Sequence, residues 1–111
     1  VLVAGSYAAV AEALALGQRL GLPMERLINA LKVGAAGSWA LEHRSANMLE
    51  GNYPLGFKLA LHRKDLAIAI ATANAADLEL PVSAQVAALE DALIARGHGD
   101  EDVSALARWF L

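Results

Sequence analysis

The sequence predicts an all-α fold: a compact domain of about six helices with the first helix at its centre. Three observations predict it. Hydrophobic residues make up 57% of the 111 positions while aromatics make up 5%. Alanine and leucine, both strong helix formers, supply most of that apolar share, and the β-branched and aromatic residues that strands favour are scarce. Apolar positions also recur at helical spacing between Gly and Pro punctuation. A chain of this length fits one domain.

Residues 2 to 20 read as the first helix. Val3, Tyr7, Val10 and Leu14 fall on one face. Ala4, Ala8, Ala11 and Ala15 form a small stripe that lets a neighbouring backbone come close. A third line, Ala9, Ala13, Leu16 and Leu20, is apolar too. A helix apolar nearly all round is buried on most sides, which suits a central helix or a dimer seam. Gly21 ends it. Pro23 opens a second helix, with Glu25 near its start and Lys32 near its end, as the helix dipole favours. Gly34 closes that helix, and residues 34 to 37 are a loop. Ser38 is the N-cap of a third helix running from Trp39 to about Glu50, and residues 51 to 54 form a turn.

The fourth helix spans residue 58 to about 77. Leu59, Leu66, Ala69 and Ala73 mark one face; Leu61, Ile68, Thr72 and Ala75 mark another. Leu80-Pro81 starts a fifth helix with Val82, Val86, Leu89 and Leu93 on its buried side, and Gly97-His98-Gly99 stops it. Asp102 caps a last short helix carrying Val103, Leu106 and Phe110. No stretch reads as a strand, a repeat or a low-complexity tail.

Composition excludes several functions. The net charge is −3 without a basic cluster, which argues against nucleic acid as a partner. The absence of cysteine removes disulfides and thiolate chemistry. His43, His62 and His98 lack metal-ligand spacing, so no metal site is expected. Mean hydropathy is high, +0.41. Yet the charge-free run after Asp65, Leu66 to Ala76, contains Thr72 and Asn74, and a spanning helix needs about 20 apolar residues. The opening stretch is interrupted by Ser6 and Glu12 and lacks the basic flank of a signal peptide. No membrane segment is expected; the excess hydrophobicity points to surface covered by another subunit or domain. The chain opens at Val1, already inside a helix, and reads as a piece of a longer polypeptide.

The chemistry concentrates in GFKLALHRKDLAIAIAT, residues 56 to 72. Four ionisable residues, His62 to Asp65, interrupt an apolar run, and an unpaired buried charge is costly. Lys64 lies one turn from Ala60, Ala67 and Ile68, with no carboxylate at i±3 or i±4. It is either a surface lysine with a solvated head or a cation reserved for an anionic or carbonyl-bearing ligand. Asp65 either orients the surroundings of Lys64 or pairs with His62 one turn earlier; His62 itself reads as a helix-surface residue. Trp39 lines a pocket or anchors the core or an interface, the second being the commoner use. Phe57 packs at a helix entrance. Gly34 to Gly37 is too short for a phosphate loop and follows no strand.

Four segments then occur in order: VLVAGSYAAVAEALALGQRLGLP, GAAGSWALEHRSANMLEGNYPLGF, LALHRKDLAIAI and GHGDEDVSALARWF. Over its whole length the chain resembles the C-terminal domain of the β-hydroxyacid dehydrogenase family, of the 6-phosphogluconate dehydrogenase C-terminal-like type. That family includes 3-hydroxyisobutyrate dehydrogenases, tartronate semialdehyde (2-hydroxy-3-oxopropionate) reductases and succinic semialdehyde (glyoxylate) reductases. The resemblance implies that residues 1–111 are the helical substrate and oligomerisation domain of a cytoplasmic enzyme. A Rossmann domain binding NAD or NADP would precede it. The catalytic lysine of a K-x-x-N motif is expected upstream of Val1, so no catalytic residue is assigned within the chain. Lys64 matches a cofactor-contacting lysine, Asp65 a neighbouring acidic position and Phe57 an aromatic that helps close the cleft. The implied reaction is hydride transfer between nicotinamide and a small hydroxy acid or semialdehyde, in a homo-oligomer (dimer or tetramer). The isolated chain is expected to be inactive. The alternatives are a stand-alone helical dimerisation module without catalysis and an imine reductase relative, against which the Lys-Asp-Leu match speaks.

Overall fold

Side-chain caps start two of the helices, one at Ser38 and the closing one at Asp102. The computed structural model describes all residues 1–111 as five α-helices and a closing 3₁₀ helix: α1 (Leu2–Arg19), α2 (Met24–Leu31), α3 (Trp39–Glu50), α4 (Leu59–Ala75), α5 (Pro81–Ala95) and the 3₁₀ helix Val103–Trp109. Ser38 caps α3 as expected, its hydroxyl accepting the Leu41 N–H at 3.0 Å. Gly51 ends α3 at φ 68°, a left-handed conformation that glycine adopts without a Cβ penalty. Pro81 occupies the first turn of α5, where its missing N–H costs nothing.

The all-α expectation holds, and α1 is central: it packs against α3, α5 and the 3₁₀ helix, while α4 packs chiefly on α5. Tyr7, Val10 and Leu14 of α1 are buried with Leu41, Met48, Leu59, Leu66, Val86 and Leu93 in one apolar cluster. The small stripe works as expected at Ala4 and Ala11, both fully buried. The 3₁₀ helix is a plug rather than a surface tail, since Val103 through Ala107 are all buried. No helix is long and apolar enough to cross a membrane.

Three details differ from the sequence reading. The buried side of α5 is Ser83, Val86, Ala87, Glu90 and Leu93; Val82 is 62% exposed. Val86 and Leu93 are buried as expected and Leu89 packs against the core, but α5, wedged between α4 and α1, also buries the small Ser83 and Ala87 and leaves Val82 outside. The third apolar line of α1 is uncovered, with Leu16 and Leu20 exposed. His62 is not a surface residue; it is 4% exposed and held by Glu90.

Candidate functional site

The first turn of α4 and the segment before the 3₁₀ helix form one joint. Lys58, at the N-cap of α4, offers no side-chain cap. The free N–H groups at the start of α4 are met instead by backbone: Leu59 N–H donates to the Glu101 carbonyl and Ala60 N–H to the Gly99 carbonyl, each at 2.9 Å. In return Val103 N–H donates to the Phe57 carbonyl at 2.8 Å. The orphan donors of a helix start are thereby satisfied by main chain distant in sequence.

Asp102 is the centre of this joint. Its Oδ1 accepts Gly56 N–H at 3.2 Å and Phe57 N–H at 2.9 Å. Its Oδ2 accepts Ser104 N–H at 3.0 Å, capping the 3₁₀ helix, and the Ser104 hydroxyl at 2.6 Å. Arg44 Nε of α3 lies 3.3 Å from the same oxygen, near enough for ionic attraction though outside hydrogen-bond geometry. Burial pushes the Asp102 carboxyl up, but the Ser104 and Phe57 hydrogen bonds and the Arg44 charge outweigh it and hold the group below the ordinary carboxylate range. Gly56 sits in contact with this hub: a Cβ there would lie 3.1 Å from Asp102 Oδ1 and 3.2 Å from Arg44 Nη2. Gly56-Phe57 and Asp102 to Ser104, far apart in sequence, are therefore one structural unit.

The sequence-predicted residues sit around that unit as follows. Phe57 is 41% exposed, and its ring meets the His62 imidazole edge-on, centroids 6.5 Å apart. Lys64 and Asp65 are exposed, and neither makes a side-chain hydrogen bond or ion pair within the chain. Residues along a helix advance about 100° each, so Lys64 points away from the buried line of Leu59, His62, Leu66 and Ala73. The face it shares is apolar and uncovered: Leu61, Ala67, Ile68 and Ala71 are all exposed, Ile68 by 57%. Asp65 does not pair with His62, whose partner is Glu90 across the α4–α5 seam. Trp39 is neither buried nor a core anchor. It is exposed, stacked on His43 with centroids 4.4 Å apart, and its ring lies 4.6 Å from the Arg44 guanidinium.

The donor set on the outer face of α4 suits an anionic or carbonyl-bearing group. The Lys64 ammonium has three donors, no acceptor and no internal partner, on an apolar face that a covering element would dry. Sequence reasoning missed Glu90 and Arg44. Glu90 gave a signal: it falls between Val86 and Leu93 at core spacing, where a carboxylate needs a partner. Arg44 gave none, since its role depends on a hub brought together by the fold.

A family profile described as NAD-binding of NADP-dependent 3-hydroxyisobutyrate dehydrogenase matches residues 1–110. The 2-hydroxy-3-oxopropionate reductase of Escherichia coli strain K12 is 37% identical over 108 residues, 97% of this chain and 37% of that protein. An L-threonate dehydrogenase of Cupriavidus necator is 36% identical over 110 residues, 98% of this chain and 37% of that protein. Among solved structures, a 3-hydroxyisobutyrate dehydrogenase from Salmonella typhimurium superposes with a TM-score of 0.87 at 32% identity, covering 98% of this chain and 39% of that one. The chain thus spans less than two fifths of each of these relatives.

Proposed function

The chain belongs to the family of NADP-dependent 3-hydroxyisobutyrate dehydrogenases, and from that premise we propose that it is the helical domain of an NAD(P)-dependent hydroxyacid dehydrogenase, covered in the whole protein by a nucleotide-binding half. The observation that carries this is the outer face of α4, apolar, uncovered and bearing Lys64 as an unpaired cation. Such a face leaves apolar area exposed to water, and Lys64, which pairs with no carboxylate in the chain, has its three donors open to a ligand.

The roles follow from the side chains. Lys64 donates to polar oxygens of the nicotinamide cofactor. Phe57, ordered by Asp102 through its N–H and by His62 through its ring, walls the cleft and keeps water out. Asp65 sits beside Lys64 and sets the local charge. The cofactor, when bound, supplies the hydride; the small hydroxy acid or semialdehyde is its partner. The group that moves the proton at the substrate oxygen lies outside residues 1–111, so the isolated chain turns nothing over. Detectable dehydrogenase activity of the 111-residue chain overturns that statement.

The test is kinetic. In the full-length protein, Lys64→Ala removes one charge-assisted contact, expected to raise the KM for the cofactor about tenfold, with the helical fold intact by circular dichroism. Unchanged cofactor kinetics remove Lys64 from the site. The second reading, a helical dimerisation module without catalysis, rests on the same uncovered apolar surface; a full-length protein without affinity for either nicotinamide nucleotide favours it.

A further inference from the structure

Glu90 is fully buried in the seam between α4 and α5. Its Oε1 lies 2.7 Å from His62 Nδ1, and its Oε2 has no partner at all. An orphaned buried carboxylate oxygen costs stability. A buried ionisable pair is, besides, commonly no more stable than apolar side chains of the same volume. Packing alone does not explain why this pair sits here.

Its position does. The next residue pair along both helices is also a tether: Arg63 Nε and Nη2 reach Asp91 Oδ1 and Oδ2 at 2.7 and 3.2 Å. Two consecutive residues of α4 are thus clamped to two consecutive residues of α5, one inside the seam and one at its surface. Lys64 is the next residue of that same turn. On the other side, the His62 ring backs Phe57, the two rings meeting at an interplanar angle of 79°. Phe57 and Lys64 stand before and after the clamp, and both are exposed.

We propose that the buried His62–Glu90 pair is a positioning device for the cofactor-facing edge, setting the rotation of the first turns of α4 and the pose of Phe57 so that Lys64 and Phe57 meet the ligand together. This deepens the cofactor-facing reading of Lys64 and Phe57 and rests on it. Neither His62 nor Glu90 touches the ligand. A hydrogen bond is directional, whereas an apolar contact at the same place tolerates rotation and sliding of the helix. The pair therefore supplies orientation that leucine or methionine in its place would not.

The experiment uses the full-length protein and reads the KM for the nicotinamide cofactor against kcat and against the urea midpoint. The double variant His62→Leu/Glu90→Met is expected to unfold no earlier than the parent yet to raise the cofactor KM about tenfold, below the hundredfold that a 1 Å misplacement costs at a reacting centre. His62→Gln keeps a donor for Glu90 but removes the wall behind Phe57, and is expected to raise the same KM. Glu90→Gln keeps an acceptor oxygen for His62 and is expected to keep the parental KM. A double variant with parental KM, a His62→Gln variant with parental KM, or a Glu90→Gln variant as impaired as the double variant overturns the proposal. Lys64→Ala, run alongside, separates the two levels. If it too leaves the KM unchanged, the cofactor-facing reading falls and takes the positioning role with it. If it raises the KM while the pair variants do not, the positioning role alone falls.

Discussion

Replacing Asp102 by alanine removes acceptors for four donors at once: the Gly56, Phe57 and Ser104 N–H groups and the Ser104 hydroxyl. It also leaves Arg44 without its ion-pair partner. At about 1 kcal/mol net for each hydrogen bond, the four together contribute about 4 kcal/mol, within the roughly 3–5 kcal/mol that breaking one side of a buried ion pair costs. Against a domain stability of about 5–15 kcal/mol, that is a large share. Urea unfolding of the 111-residue chain, followed by far-UV circular dichroism, should show the midpoint falling by roughly 2 M for a slope of about 2 kcal/mol/M. Native-state amide exchange gives the local signature. Gly56, Phe57 and Ser104 should lose protection beyond the global change, while Leu41, whose N–H is held by Ser38, should track it. A variant within about 1 kcal/mol of the parent would mean that water replaces these bonds at no net cost, and the hub would not be what joins α4 to the 3₁₀ helix.

Two further outcomes come from the same hub. The Asp102 carboxyl is held below its unfolded value, so its stabilisation is complete above about pH 4 and is lost as pH falls through the folded value; Asp102→Asn should flatten that acid limb, and parallel acid-unfolding curves for parent and variant would contradict the assignment. Gly56→Ala places a Cβ at 3.1 Å from Asp102 Oδ1, and the resulting shift should cost about 1–3 kcal/mol in thermal or urea unfolding; a neutral substitution would show that the Asp102 and Arg44 side chains yield freely.

Much of the fold was legible because helices announce themselves locally. Ser38, Gly51, Pro81 and Asp102 carry capping chemistry that depends on a few neighbouring residues, and each marks a boundary of the structure. Which face of a helix is buried is less local. On α5 Val86 and Leu93 are buried as read, but Val82 is exposed while Ser83 and Ala87 are buried, because close helix contacts select small residues that a size-based reading of the apolar face passes over. His62 was misread for a related reason: its partner, Glu90, is 28 residues away, beyond any i±4 search. The candidate site was legible only as an anomaly, charges inside an apolar run. The fold resolves the anomaly by sending His62 inward to Glu90, Arg63 sideways to Asp91 and Lys64 outward to no partner.

That three-way division also governs how the domain should associate. Two of the uncovered apolar areas lie on separate sets of elements: the outer face of α4, with Leu61 and Ile68, and the groove between α1 and α5, where Gly5, Ala8, Val82 and Trp109 surround a cavity of about 580 Å³. If a nucleotide-binding half covers the first and a second copy of the chain covers the second, charge placed on each should act differently. Ile68→Glu should make the isolated 111-residue chain more soluble but disrupt the fit of the two halves in the full-length protein, raising its cofactor KM without changing its oligomeric state. Val82→Glu should do the reverse, shifting sedimentation toward monomer in both forms and sparing the cofactor KM; a glutamate buried in an apolar interface costs several kcal/mol, which weakens a dimer on the order of a thousandfold. Sedimentation velocity of the two variants in both contexts decides it. Should Ile68→Glu dissociate the full-length oligomer while Val82→Glu leaves it whole, the outer face of α4 is the subunit contact, and Lys64 then faces another copy of this chain rather than a nucleotide.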